Sequence, residues 1–272
     1  MGRNYFYALN NFTELNERLV NIHGNNLEVL KIVDGGIFSS KANEFIFKIK
    51  TISDKVFKFT SVPKSSNYGQ SRYINLSYGD GYTDDILTNE IFICGDGKSP
   101  SSYSASDDVY GMSVISGSEL LIIQYKTKQY YLGGNTTVQT IILNKLTNNK
   151  TAALSCYSNS ENSNGLRQYS NGRIIEDNAA ITIHTKMCVG TYGGKTAITE
   201  VPLYYGTVVD KPDFIINGNE ILTFKDIKLS SYSNNNLTNY ALSDGTGVFL
   251  IKANQMNGGS IGDNCLFVSF NN

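Results

Sequence analysis

The sequence predicts an all-β protein of antiparallel sheets, one sandwich or two, with a single short helix near its amino terminus. Three observations carry that expectation. Apolar, β-branched and aromatic residues gather in short runs separated by Gly, Asn, Asp and Ser, the pattern of strands and turns. Only one stretch has helical spacing and chain breakers of the proline type are few. No period of about twenty to fifty residues repeats, which removes support for solenoids and propellers.

Taken in order, residues 5–9 read as a short strand, and Asn11 then opens the helix, expected over residues 12–22. Asn11 can cap the first turn, Glu14 follows three residues on as in a capping box, Phe12, Leu15, Leu19 and Ile22 share a face, and Gly24 closes the element. His23, in the last turn, is expected to favour the helix dipole and to be structural. Residues 27–33, 44–52 and 56–59 form a meander, because Phe45, Phe47 and Ile49 alternate with Lys48 and Lys50. Residues 61–73 read as a loop, and 73–78 and 91–94 as strands joined through the polar stretch 79–89. Residues 95–108 read as a long surface loop.

At the centre, Leu120 to Tyr125 and Gln129 to Leu132 flank Lys126, Thr127 and Lys128, which reads as a hairpin with a lysine tip. After the turn at Gly133, Gly134 and Asn135, the residues Val138, Ile141, Ile142 and Leu143 supply a third strand. The polar segment 147–150 and the Ser, Asn and Glu of 158–164 place a boundary after Leu146, giving β domains over 1–146 and 147–272, or one continuous domain. Further strands are expected at 179–189, 197–201 and 203–209, with Pro202 marking a kink or an edge. Asn217-Gly218 between 214–216 and 219–222 is a type I′ hairpin signature. Residues 227–232, 239–242, 247–252 and 265–270 complete the strands.

Charged residues make up 17% of the chain, against roughly a quarter in ordinary globular proteins, so the surface is neutral and hydrogen-bonding. With 23 basic and 24 acidic side chains and no basic cluster, a nucleic-acid partner is not expected. Cys94, Cys156, Cys188 and Cys265 are widely spaced and form no CxxC pair, which favours buried thiols over a zinc site or a disulfide scaffold. No run approaches the roughly twenty apolar residues of a membrane helix, and the first residues lack the apolar segment of an export signal, so neither insertion nor export is expected.

Few motifs carry chemistry. Gly95, Asp96, Gly97, Lys98 and Ser99 resemble the tail of a phosphate-binding loop, yet Phe92 stands where a glycine is needed and Pro100 follows where a helix must begin. His184 and Cys188 on a strand would lie about 13 Å apart, beyond a hydrogen bond. Asp80, Asp84, Asp85 and Glu90, and separately Asp107 and Asp108, sit in polar connections without calcium-loop spacing and read as solvated turn residues. No catalytic residue, cofactor or metal is therefore expected. Tyr68, Tyr73, Tyr78, Tyr82, Tyr103 and Tyr110 surround two loops rich in Asn, Ser and Gly. That combination suits a surface recognising proteins or sugars, and it suits equally a set of cross-strand aromatic pairs.

The segment Asn4, Tyr5, Phe6, Tyr7, Ala8, Leu9 before a small helix, the run Tyr130, Tyr131, Leu132, Gly133, Gly134, and the Asn-, Tyr- and Gly-rich β composition resemble structural proteins of tailed phages and phage-tail-like particles of low-GC bacteria. The resemblance implies a non-enzymatic structural or host-attachment component of a virion or tail particle, in the tail, baseplate, collar or fibre. Such a chain is made in the host cytoplasm and built in as a symmetric homo-oligomer with other particle proteins, with host-surface glycans as a further partner. Two alternatives stand beside it: a carbohydrate-binding β-sandwich using the tyrosine loops, and a hydrolase using His184 or a loop carboxylate.

Overall fold

Antiparallel β-sheet dominates the computed structural model, which describes residues 4–9, 11–34, 43–61, 74–94, 108–128, 136–159, 167–183, 198–200, 203–205, 221–222, 224–233, 247–252 and 264–270. The chain divides into two units, Met1–Leu143 and Asn144–Asn272.

In the first unit the order is β1 (Asn4–Leu9), α1 (Phe12–His23), β2 (Leu27–Val33), β3 (Asn43–Ile49), β4 (Val56–Ser61), β5 (Ile74–Gly79), β6 (Gly81–Thr83), β7 (Ile86–Thr88), β8 (Ile91–Cys94), β9 (Asp108–Gly117), β10 (Leu120–Lys128) and β11 (Thr136–Lys145), whose end passes the division by two residues. One sheet runs β1-β9-β10-β11, a second runs β2-β3-β4-β5-β8, and β6 with β7 is a separate hairpin.

The helix forms for the reasons its sequence gives. The Asn11 side chain accepts a hydrogen bond from the Glu14 amide at 2.8 Å, and Gly24 takes φ +51° while its amide bonds the Val20 carbonyl. Phe12, Leu15 and Leu19 are buried, and the fourth buried position is His23 rather than Ile22. The helix packs against β1 and β9 of one sheet and β2 and β3 of the other.

Alternation on β3 and β4 turns Phe45, Phe47, Phe57 and Phe59 to one face, where all four are fully buried. The rings of Phe45 and Phe47 lie 4.6 Å apart, Phe47 and Phe59 5.1 Å, and Phe12 of the helix sits 6.0 Å from Phe45. The first sheet is covered on both sides along β10, since every residue from Leu120 to Tyr125 is buried. A second link joins the sheets: the Gln139 side chain accepts from the Ile74 amide at 2.6 Å and donates to the Ile74 carbonyl at 2.8 Å.

Three expectations are corrected here. Lys126, Thr127 and Lys128 are not a hairpin tip; they continue β10 and pair with Gly111, Val109 and Asp108 of β9, which turns into β10 through Ser118 and Glu119. Residues 129–135 lie outside the described residues. The stretch 79–89, read as a polar connection, contains the β6–β7 hairpin. The strand expected to reach Ile52 ends at Ile49, whose carbonyl accepts from the Ile52 and Ser53 amides.

The second unit contains β12 (Thr151–Asn159), β13 (Arg167–Ile174), β14 (Ala179–Ile183), β15 (Ile198–Glu200), β16 (Leu203–Tyr205), β17 (Ile221–Leu222), β18 (Ile227–Ser233), β19 (Gly247–Lys252) and β20 (Asn264–Phe270). They are arranged as β12-β13-β14-β16-β17 and β15-β18-β20-β19. A tight turn precedes β12, with the Leu146 amide on the Lys150 carbonyl at 2.8 Å and Asn149 at φ +64°. The Glu176 carboxylate then accepts from the amide and the hydroxyl of Thr151, at 2.7 and 2.9 Å. Ala152, Ala153, Leu154, Ile174 and Ile175 are buried, as are Phe224 and Ile227. At Gly172 a methyl group would stand 2.9 Å from Leu154 Cδ1 and 3.2 Å from Ile181 Cβ, so the strands pack on bare backbone there. The expected strand at 239–242 and the Asn217-Gly218 turn lie outside the described residues.

Candidate functional site

Of the tyrosines singled out by the sequence, Tyr68, Tyr73 and Tyr103 lie outside the described residues, and Tyr110 is placed on β9 by its backbone alone. Tyr78 on β5 is only 2% exposed, an interior position with no aromatic face open to a ligand, which corrects its assignment to a recognition surface. Tyr82 on β6 is half-buried, and its hydroxyl donates to Asp85 Oδ1 at 2.6 Å.

Tyr82 belongs to a polar node built by the β6–β7 hairpin. Asp84 and Asp85 take φ +52° and +63°, the two left-handed residues of a type I′ turn, a conformation that aspartate tolerates better than most residues. The turn delivers Asp85 to Lys31 of β2, whose Nζ lies 3.3 Å from Asp85 Oδ1 and 3.1 Å from Glu44 Oε2. The hydrogen bond from Tyr82, and then Lys31, holds the Asp85 carboxyl below its ordinary pKa; Asp85 in turn raises that of the Tyr82 phenol. Glu44 is the main group raising the pKa of Lys31, with Asp85 adding to it.

The base of the hairpin is tied in the same way. Asp80 accepts from Asn89 Nδ2 at 2.7 Å and from Lys55 Nζ, and both lower its pKa, Asn89 more strongly. Its amide bonds the Thr88 carbonyl at 2.9 Å. Glu90 accepts from Ser77 Oγ at 2.5 Å and lies 3.4 Å from Lys58 Nζ. Each of Asp80, Asp85 and Glu90 therefore has a different lysine partner. Among the described residues no three His, Cys, Asp or Glu side chains converge on a point where a metal ion could sit.

One pairing was invisible to sequence reading. His23 Nε2 lies 2.9 Å from Ser116 Oγ across 93 positions of sequence, and the Ser116 hydroxyl donates to the Leu120 carbonyl at 3.2 Å. With that hydroxyl hydrogen engaged, the imidazole Nε2–H is the donor. Burial lowers the His23 pKa to about 4. The ring is neutral at pH 7, which corrects the expectation of a cation favouring the helix dipole. Ser116 is wholly buried and His23 5% exposed, so this hydroxyl and imidazole tie α1 to β9 in the interior. His184, Cys188, Asp107 and residues 95–100 lie outside the described residues, and Asp108 is placed by its pairing with Lys128 alone. No protein family, curated protein or solved structure matches this chain.

Proposed function

We propose that this chain is a structural component of an assembled particle of the tailed-phage or phage-tail-like kind, incorporated through its β-sheets as one of many symmetric copies. The observation that carries the reading is the use to which chemically capable side chains are put: His23, Ser116, Asp80, Asp85 and Glu90 each fasten one strand, helix or hairpin to another. The low charge and hydrogen-bonding composition fit a protein surrounded by neighbours of its own kind, and the resemblance of residues 4–9 and 130–134 supplies the kind of particle. The carbohydrate reading has less behind it, because Tyr78 is interior and the Tyr82 hydroxyl is engaged.

The test is direct. Particles purified from cells expressing the chain are labelled with an antibody to it in electron micrographs and analysed by quantitative mass spectrometry. The reading expects labelling at one defined place on the particle and a copy number that is a multiple of the particle's symmetry. Absence from particles, together with a monomeric purified protein, overturns it.

A further inference from the structure

The β6–β7 hairpin lies over the outer face of the five-stranded sheet, opposite the phenylalanines. Ile46 and Val56 point outward from that sheet, Leu87 of the hairpin is buried with them, and Leu30 and Tyr82 pack against the three. Leu30 reaches this cluster through a bulge in β2 between Val29 and Lys31. Of residues 80–90 only Leu87 is buried, whereas Ile46, Val56 and most residues of β3, β4 and β5 are buried. An isolated pair of three-residue strands does not hold together by itself, so the hairpin depends on what fastens it to the sheet.

That fastening is largely ionic and exposed. Asp80 pairs with Lys55 just before β4 and Asp85 with Lys31 on β2, while Glu90, just past the hairpin, pairs with Lys58 on β4. Among the described residues the other charged groups on this side include Glu44, which shares Lys31, Lys48, which lies 3.9 Å from Asp54 and stands opposite Glu28 in the β2–β3 register, and the exposed Asp84 at the turn. The ends of the element are Gly79, where a methyl group would stand 2.6 Å from the Thr88 carbonyl oxygen, and Asn89, at φ +53°.

We propose that the β6–β7 hairpin is a strap that opens as one unit about Gly79 and Asn89, without unfolding the sheet beneath it, and that ionic strength sets how often it opens. Opening uncovers Leu30, Ile46 and Val56 and parts Lys31 and Lys55 from Asp85 and Asp80, so the outer face of the sheet gains an apolar patch among its lysines while the phenylalanine face is unaltered. Few buried contacts and exposed fastening are the marks of an element that opens below the global unfolding free energy.

Hydrogen exchange of the full chain, read by mass spectrometry at one fixed pH in low salt and in about 1 M sodium chloride, tests this, since salt at that level shortens the screening length to about 3 Å. The Asp80→Asn, Asp85→Asn double variant is run beside the parent. The expected result is exchange of peptides covering residues 80–89 at least about tenfold faster than those of β3 and β4, rising by up to about another tenfold in high salt or in the double variant, with β3 and β4 unmoved. Hairpin peptides that exchange in step with β3 and β4 overturn the proposal. So do hairpin rates that respond to neither salt nor charge removal. Either outcome leaves the particle reading standing, because that reading rests on copy number and location.

Discussion

The two faces of β3 make opposite use of the same seven residues. Phe45, Phe47 and Ile49 point one way into a packed aromatic interior, and Glu44, Ile46 and Lys48 point the other way toward a small apolar cluster ringed by ion pairs. The first face gains from area removed from water and from ring geometry, which salt scarcely touches. The second gains from Coulomb attraction at the surface, where each pair contributes little and solvent ions compete. One strand thus carries a permanent attachment on one side and an adjustable one on the other.

The sharpest way to break that contrast is to remove a ring from the inner face. Phe47→Ala is expected to lower unfolding free energy by about 3–5 kcal/mol, measured as a drop in urea midpoint, because the cavity is walled by Phe45, Phe57 and Phe59. Gly79→Ala acts on the outer face and is expected to cost about 1–3 kcal/mol, since the new carbon meets the Thr88 backbone and one strand must shift. Exchange in residues 80–89 should rise disproportionately in that variant, and an unchanged urea midpoint would show that the hairpin base has room to spare.

A third comparison uses pH. The unfolded His23 titrates near its ordinary value of 6.5 and the folded one at about 4. Between those values the unfolded state binds a proton that the folded state refuses, so stability should fall as pH drops through this window and level off below about 4. Urea midpoints taken across pH 7 to 4 (about the range in which histidine changes charge) should show this slope, and His23→Gln should flatten it. The smallest expected effect belongs to Lys31→Gln. Losing its two partly exposed ion pairs should leave the urea midpoint nearly where it was, and a drop as large as that of Gly79→Ala would move the outer face into the class of the inner one.

These contrasts also explain what the sequence revealed. The helix was legible because Asn11 and Gly24 sit at its ends, and the meander because Phe45, Phe47, Phe57 and Phe59 alternate with polar neighbours. By contrast β9, β12 and β13 went unread. Their residues include Ser116, Thr151 and Ser155, which are completely buried, so hydropathy assigns to the surface what the fold keeps inside through hydrogen bonds. The β6–β7 turn was missed because Asp84-Asp85 lacks the glycine by which such turns are usually recognised. Of the candidate site, Tyr82 and Asp85 could be placed near each other as members of one short connection. His23 and Ser116 could not, since their meeting depends on a helix and a strand being brought together from distant parts of the chain.

The Gln139 carboxamide has one further effect. Its single planar group presents an acceptor and a donor to a single peptide neighbourhood at Ile74. If β11 slid by one position the side chain would point to the opposite side of its strand, and a slide of two would carry it about 6.6 Å away from the groups it reads. The two layers of this unit are consequently indexed to each other, and a newly made chain that collapses out of step is left with a buried amide and carbonyl that only the correct alignment can quench.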